Sequence, residues 1–239
     1  MGWMISAALC AYFIKGLCGF ANTLVFTTIL SFGYDNVNIS PVELILGYPT
    51  NLMLIKKERA SLKTKIWLPL TAIVLTGDIP GILLLKNVDV RVVKLAFGFI
   101  IIALALEMFW RESGEKKSRK SGLVLGAIGI ISGVLCGLYG VGALLAAYMS
   151  RVTDSNREFK ANICMVFCIE NTFRIILYTI LGIITLGTVR QAAVLIPAML
   201  AGMFAGMKSG SFLNEKTVKM LVIVMLLLSG AALVITNFS

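Results

Sequence analysis

The stretch Gly16-Leu-Cys-Gly-Phe-Ala-Asn22 interrupts a long apolar segment, residues 2–32, and a related stretch, Gly133-Val-Leu-Cys-Gly-Leu-Tyr-Gly-Val-Gly142, interrupts a second one, residues 122–149. As straight helices the two segments would be about 46 and 42 Å long, whereas the hydrocarbon core of a bilayer is about 30 Å thick. Broken at the glycines, each segment becomes two arms of about a dozen residues that enter the bilayer to its midplane and return to the same side. We therefore predict two re-entrant helical hairpins, whose irregular tips must be surrounded by protein or line a wet cavity.

The composition places the rest of the chain in the membrane as well. Of the 239 residues, 58% are hydrophobic and 14% are charged, and the mean hydropathy is +0.91. These values are typical of an all-α polytopic membrane protein, and no soluble domain is left over. After the first hairpin we predict a polar turn from Tyr34 to Ser40 and then transmembrane helices at 41–55 (interrupted at 47–51), 66–85, 92–110, 161–182, 191–207 and 220–236.

The two halves of the chain repeat the same order of features. The matched features are Leu17-Cys-Gly19 with Leu135-Cys-Gly137, Asn51 with Asn171, and Gly77 and Gly81 with Gly202 and Gly206. Ordered agreement of this kind indicates a duplication. We predict a first membrane repeat at 1–110, a cytoplasmic basic linker at 111–121 and a second membrane repeat at 122–239. Because each repeat holds one hairpin and three full crossings, the two are inverted relative to each other, as in many secondary transporters.

The positions of the basic residues favour this arrangement. With two hairpins, the loops 56–65, 111–120, 151–160 and 208–219 share one side of the membrane and carry 16 of the 22 Lys and Arg residues, whereas the opposite side carries four. If both glycine-rich segments crossed once, the two sides would carry nearly equal numbers. The positive-inside rule therefore favours hairpins and places both termini outside the cytoplasm, in a multi-pass protein of the cytoplasmic membrane. Orientation also explains the net charge of +10, and no nucleic-acid partner is expected.

Polar groups at the two breaks form the candidate binding site for an anionic solute. Helix ends there present unpaired N–H groups and a partial positive charge, and glycine lets the backbone approach a ligand closely. Lys15 would be costly in the membrane unless it faced water, a carboxylate or an anion. The amides of Asn51 and Asn171 can donate to an oxyanion. The predicted substrate-binding residues are Lys15, Gly16, Gly19, Asn22, Asn51, Gly137, Tyr139, Gly140, Asn171 and Arg174.

Some of these residues also have a purely structural interpretation. Arg174 lies one helical turn after Glu170 and can form an internal ion pair with it. The two equivalent asparagines can instead hydrogen-bond between helices. For the glycines of the later spans we favour close packing of helices, namely for Gly77, Gly81, Gly202 and Gly206.

The acidic residues are the candidates for coupling to protons, because the chain contains no histidine. Asp78 is either a proton carrier or the partner of Lys15. Glu170 is the second candidate for proton coupling. Two other acids, Glu43 and Glu107, lie near the ends of predicted spans and are expected to be solvated or at the membrane interface.

The chain resembles the TauE/SafE sulfite exporter family, also called the toluene sulfonate uptake permease family. The resemblance covers nearly the whole chain and is based on its length, its two-fold repetition and the glycine-rich motif that opens each half, at 16–22 and 133–142. It implies a secondary transporter of sulfite, of sulfonates such as sulfoacetate, or of related organosulfur anions. The corresponding mechanism is alternating access, with the solute held near the midplane by both hairpin tips.

Two other classes of function stay open. An anion channel could use the same helix ends, and saturable flux with counterflow distinguishes a carrier from it. A membrane-embedded enzyme is disfavoured, because Cys18 and Cys136 have no histidine partner and the sequence contains no metal-ligand cluster. The expected partners are a small anionic solute, the lipid bilayer and a proton or Na⁺ as coupling ion, with no cofactor. A homodimer is one assembly that the sequence leaves open.

Overall fold

The computed structural model describes residues 2–30, 36–84, 142–210, 212 and 214–238, together with parts of 95–110 and 129–136. The regular elements in these ranges are helical, in agreement with the predicted all-α class. Helices α1 to α4 span Gly2–Cys18, Asn22–Leu30, Asn36–Lys57 and Thr64–Leu84, and a 3₁₀ turn spans Arg59–Ser61. Helices α5 to α8 span Ala143–Val152, Asn156–Ile180, Leu186–Ser209 and Glu215–Phe238. The predicted linker, 111–121, lies outside the described residues.

The glycine-rich stretch of the first segment reverses the chain. Helix α1 ends at Cys18, and Gly19 and Ala21 adopt left-handed backbone conformations, with φ of 89° and 71°, before α2 begins. The indole Nε1 of Trp3, at the start of α1, donates to the carbonyl oxygen of Ile29, at the end of α2, over 3.0 Å. The two arms therefore run back along each other, and the predicted break is confirmed.

Less of the second glycine-rich segment is described. Residues 129–134 and 136 are helical, and α5 begins directly after Gly142. The predicted tip residues Gly137, Tyr139 and Gly140 lie outside the described residues. The hairpin of this half therefore stays a prediction.

Helix α3 differs from its prediction. The sequence predicts a polar turn up to Ser40 and an interruption at 47–51, whereas the structure shows one helix of 22 residues with Pro41 and Pro49 inside it. Pro49 has no N–H to bond the carbonyl of Ile45, which costs about 3 kcal/mol in a helix interior. Helix α3 packs against α2, α6 and α7. This burial offsets the cost, so the helix continues through the proline.

Helices α6 and α7 begin at capped ends. The hydroxyl of Ser155 accepts from the N–H of Glu158, and Thr185 and Thr188 form a reciprocal capping box. By length and composition these two helices, of 25 and 24 residues, are apolar enough to cross a membrane, with mean hydropathies of 1.6 and 1.5 over an 18-residue stretch of each. Because α6 starts so early, the predicted loop 151–160 is mostly helical, and only residues 153–155 separate α5 from α6.

Helix α1 crosses α7 at glycines, which brings the two backbones into contact. A Cβ on Gly206 would lie 2.0 Å from the carbonyl oxygen of Phe13, and one on Gly202 would lie 2.4 Å from a carbonyl oxygen of α1. From the α1 side, a Cβ on Gly16 would lie 2.5 Å from the carbonyl oxygen of Met203. The packing interpretation of Gly202 and Gly206 is therefore confirmed. Gly16, expected at the solute site, packs helices in the same way.

Helix α4 meets the described part of the second glycine-rich segment in a corresponding contact. A Cβ on Gly77 would lie 2.3 Å from the carbonyl oxygen of Ile130, and one on Gly133 would lie 2.1 Å from that of Val74. Gly77 has the place in the first half that Gly202 has in the second. In the described residues, each glycine-rich segment thus packs on a glycine-bearing helix from the other predicted half of the chain.

Candidate functional site

The turn between α1 and α2 meets α3 and α6 around a small cavity. About 20 Å³ of it is open to the centre of a water-sized sphere, which is room for about one water molecule. Charged and amide side chains supply much of its wall. The lining residues are Lys15, Phe20, Ala21, Asn22, Thr23, Leu24, Glu43, Asn51, Gly142, Phe167, Glu170 and Asn171.

Two helices begin at this cavity. The first residue of α2, Asn22, lines it, and so does Gly142, the residue that precedes α5. Each of these helices follows one of the two glycine-rich stretches, and both direct their N-termini toward the same space. Unpaired N–H groups and the helix dipoles give that space a positive potential, which favours an anion.

Lys15 is buried beside this space. Its side chain is 1% exposed, and Nζ donates to the carbonyl oxygen of Gly47 over 3.3 Å. This bond goes to α3, and both carboxyl oxygens of Asp78 lack a hydrogen-bond partner among the described residues, so the prediction of Asp78 as the partner of Lys15 is wrong. An ammonium group has three N–H donors. Lys15 therefore keeps donors for a solute after its bond to α3 is formed.

Asn51 is completely buried, and neither its Oδ1 nor its Nδ2 has a hydrogen-bond partner among the described residues. Buried amides are normally satisfied, because an unpaired polar group costs about 1–3 kcal/mol. Since Asn51 lines the cavity, a ligand or an ordered water in that space is the group that would satisfy it. Asn171, its equivalent in the second half, lines the same cavity from α6.

Glu43 is a cavity residue that the sequence analysis misassigned. The expectation that it is solvated is wrong: it is 4% exposed, and its Oε1 accepts from Nδ2 of Asn22. Because α3 begins at Asn36, Glu43 lies about two turns inside the helix and not at its end. A signal was present in the sequence, since Glu43, Gly47 and Asn51 follow each other at intervals of four residues and therefore share one helix face.

Arg174 is held in a buried network next to Glu170. Its Nη1 lies 3.3 Å from Oε1 of Glu170, and neither side chain is more than 2% exposed. Its Nη2 donates to Oγ of Ser40 over 3.0 Å and to the hydroxyl of Tyr178 over 3.1 Å. The predicted ion pair is therefore confirmed. Glu170 lines the cavity, whereas Arg174 supports it from behind this pair.

Asp78 of α4 is a further buried acid. It is completely buried, and both of its carboxyl oxygens lack a hydrogen-bond partner in the described part of the chain. The charges that act on it are those of Glu170 and Arg174. A buried carboxylate with no partner is too costly to remain ionised. We therefore expect Asp78 to hold a proton.

A separate charged group joins the α3–α4 connection to the start of α6. Nζ of Lys63 lies 2.8 Å from Oε2 of Glu158 and 3.6 Å from Oδ2 of Asp154. The backbone N–H of Lys63 donates to Oδ1 of Asn162. The side-chain amide of Asn162 donates in turn to the carbonyl oxygen of Glu158 over 2.7 Å. The hydrogen bond to Glu158 is the main cause that raises the pKa of Lys63. These bonds hold the two connections together.

The structure brings five of the predicted residues to the cavity, namely Lys15, Asn22, Asn51, Glu170 and Asn171. Gly19 forms the turn beside it, where a Cβ would lie 2.8 Å from Cγ of Lys160. The predicted residues placed elsewhere are Gly16, Asp78 and Arg174. Glu107 lies outside the described residues. The cavity residues that the sequence analysis did not single out are Phe20, Ala21, Thr23, Leu24, Glu43 and Phe167; apart from Glu43, they are apolar or small and carry no distinctive sequence signal.

Comparison with known families gives one match. The family model of the sulfite exporter TauE/SafE matches residues 4–233, nearly the whole chain. No curated protein and no solved structure matches the chain. The matched range contains every residue that lines the cavity. The chain therefore belongs to the TauE/SafE sulfite exporter family.

Proposed function

We propose that the protein carries sulfur-containing oxyanions, such as sulfite or small sulfonates, across the cytoplasmic membrane by alternating access. Its family is one of membrane transporters for sulfite or related anions. The solute site in this proposal is the cavity at the α1–α2 turn. The observation that carries the proposal is that the ammonium group of Lys15 and the buried amide of Asn51 border the same cavity.

The groups around the cavity suit an oxyanion of sulfur. Such an anion offers hydrogen-bond acceptors on all of its oxygens and needs several donors at once. Lys15 on α1, Asn51 on α3 and Asn171 on α6 supply N–H donors from three different helices. The N-termini of α2 and α5 add partial positive charge. Donors that converge from separate helices bind an anion without a second cationic side chain in the wall.

The contacts of Lys63 support the hairpin arrangement. Because Lys63 pairs with Asp154 and Glu158, the α3–α4 and α5–α6 connections lie on the same side. The chain between them must then cross the membrane an even number of times. Helix α4 and the predicted span 92–110 supply two crossings, so the second glycine-rich segment has to turn back. With the positive-inside rule, this arrangement puts both termini outside the cytoplasm.

Alternating access follows in this proposal from the size of the cavity and from the glycine contacts. The cavity has room for about one water, whereas sulfite has a sulfur and three oxygens, so the solute enters a wider form of the site. Helices α1 and α7 are in direct backbone contact, and so are α4 and the second glycine-rich segment. Each glycine-rich segment therefore moves with a helix of the other half, and the cavity lies between the two moving bodies.

We take the coupling ion to be a proton. Asp78 and Glu170 are the acids that the sequence singles out for this role, and Glu43 joins them in the interior. None of these three residues is more than 4% exposed. A buried acid exchanges protons with water only in conformations that open its surroundings, which is the condition that links proton movement to alternating access.

Flux into proteoliposomes that contain the purified protein tests the proposal. Sulfite, sulfate, thiosulfate and sulfoacetate are offered with and without a pH gradient, and we expect saturable uptake and counterflow of at least one of them. Lys15→Met and Asn51→Ala each remove a donor from the site. A hydrogen bond to a charged group contributes about 1.5–3 kcal/mol, so each change should weaken the apparent affinity by about tenfold to a hundredfold.

Matched controls separate loss of the site from loss of the fold. Lys57→Met removes an exposed lysine at the end of α3, and Thr71→Ala removes a buried hydroxyl of α4 that donates to the carbonyl oxygen of Trp67 over 2.8 Å. Both should transport like the wild type. Wild-type affinity in Lys15→Met and Asn51→Ala would refute the assigned site. Unitary currents without counterflow would show that the protein is an anion channel and not a carrier.

A further inference from the structure

Among the described residues, five almost completely buried charged side chains line the cavity or lie behind its wall, and their charges do not balance when all of them are ionised. Glu43, Glu170 and Asp78 are acidic, Lys15 and Arg174 are basic, and none of the five is more than 4% exposed. Three negative and two positive groups leave one negative charge in excess, which a proton on Asp78 removes. A monovalent anion that enters this space restores a net negative charge, and an unbalanced charge is costly to bury.

One further proton would restore neutrality, and Glu43 is the group best placed to accept it. Glu170 is kept ionised by Arg174, whose Nη1 is 3.3 Å away. The carboxyl group of Glu43 accepts instead from the amide of Asn22, a neutral donor. Glu43 also borders the cavity together with Lys15, so it competes with an anionic solute for the same ammonium group.

We propose that Glu43 is the proton-coupling residue of the solute site: it is the counter-ion of Lys15 in the empty cavity and becomes protonated when an anion takes its place. This inference rests on the proposed function and deepens it by assigning the coupling to one carboxyl group. The proton comes from water on the side to which the cavity is open, forms an O–H bond on Glu43 and leaves to water on the other side after the anion has left. One proton thus accompanies each monovalent anion.

Groups on three neighbouring helices decide when Glu43 titrates. The groups that face it are Lys15 and Tyr12 on α1, Asn22 and Thr23 on α2, and Glu170 and Arg174 on α6. Burial favours the protonated form of Glu43, whereas the two cations favour the carboxylate while the cavity is empty. A bound anion neutralises the effect of the ammonium group and adds repulsion to that of Glu170, so the protonated form is then favoured.

The number of protons taken up with each bound anion tests this assignment. Calorimetric titration with sulfite in buffers of different ionisation enthalpy measures that number for the wild type and for Glu43→Gln, which resembles the protonated acid. We expect the wild type to take up about one proton more per bound sulfite than the variant. Any protons that sulfite itself gains or loses on binding are the same for the two proteins and cancel in this difference. Glu58→Gln, which removes a carboxylate from the turn after α3, should behave like the wild type.

Transport provides a second readout. In proteoliposomes, Glu43→Gln should keep sulfite counterflow and lose accumulation driven by a pH gradient. Equal proton uptake by wild type and variant, or gradient-driven accumulation by the variant, would overturn the assignment and leave the proposed function standing. If the wild type neither binds nor moves sulfite or the other anions of the panel, the proposed function itself is overturned.

A wild-type measurement covers the case in which Glu43→Gln does not fold. The wild type is titrated with methanesulfonate, a monovalent sulfonate that stays fully ionised and takes up no proton itself. Uptake of about one proton per bound anion supports the assignment. Binding without proton uptake contradicts it.

Discussion

The backbone contact between α1 and α7 predicts that Gly206→Ala lowers the stability of the protein substantially. The new methyl carbon would lie 2.0 Å from the carbonyl oxygen of Phe13 and 2.9 Å from its carbonyl carbon. Carbon and oxygen atoms normally approach each other to about 3.3 Å. Because the neighbouring atoms belong to the backbone of another helix, no change of rotamer relieves the overlap. The two helices must move apart by about 1 Å.

The expected loss of stability follows from two opposing terms. Overpacking costs about 1–3 kcal/mol, and separating two backbones belongs at the upper end of that range. Alanine is favoured over glycine in a helix by about 0.8–1 kcal/mol. The net destabilisation is therefore about 2 kcal/mol. For a chain of this length 1 kcal/mol corresponds to about 2–4 °C, so Tm should fall by about 4–8 °C.

Thermal unfolding of the detergent-solubilised protein, followed by tryptophan fluorescence, measures this shift. Gly187→Ala is the matched control in the same helix, because the nearest atom to its Cβ, Oγ1 of Thr185, would be 3.5 Å away. The control should melt at the wild-type temperature or slightly above it, owing to the helix preference of alanine. A Tm of Gly206→Ala within about 1 °C of the wild type would refute the close approach of α1 and α7.

Other changes test the buried charges, the turn and the outer ion pair by the same melting experiment. Glu170→Gln removes the charge partner of a buried guanidinium group and should lower the stability by about 3–5 kcal/mol. Asp78→Asn should change the stability by less than about 1 kcal/mol, because Asp78 is expected to be uncharged. Equal losses would contradict an ionised Glu170 and a protonated Asp78. Ala21→Gly relieves a left-handed alanine, with φ of 71°, and should raise the stability by up to about 1 kcal/mol. The raised pKa of Lys63 means that its pairing stabilises the protein below the usual value of 10.5 and is lost as the pH rises through the raised pKa, so the Tm difference from Lys63→Met should disappear at strongly alkaline pH.

The break in the first segment could be predicted from the sequence because bilayer thickness limits the length of a straight helix. Gly16 and Gly19 both lie in the quoted stretch, but only Gly19 has a positive φ, and Gly16 serves a contact with α7. Local pattern cannot separate these two uses of glycine, since the contact depends on a helix far away in the chain. For the same reason the continuity of α3 through Pro49 was not predicted, because the packing that offsets the cost is tertiary.

The candidate site could be predicted where a residue was costly or repeated. Lys15 stood out because a buried charge needs a partner, and Asn51 and Asn171 because they are equivalent in the two halves. Glu43 was missed because the predicted start of the span, two residues before it, placed it at a membrane surface. The burial of Glu43 depends on the extension of α3 to Asn36, which no apolar pattern marks.

The predicted repeat pairs glycines and amides of the two halves but not their charges. In the alignment of the halves that pairs Cys18 with Cys136, Lys15 corresponds to Gly133. In the alignment that pairs the two asparagines, Glu43 corresponds to Ile163. A second lysine in the symmetric place would bring two like charges to one cavity of this size, and each would raise the cost of burying the other. If the two halves are inverted repeats, a single site between them can keep its glycines and amides in matching pairs, whereas the charges that bind one anion and one proton, Lys15 and Glu43, both come from the first half.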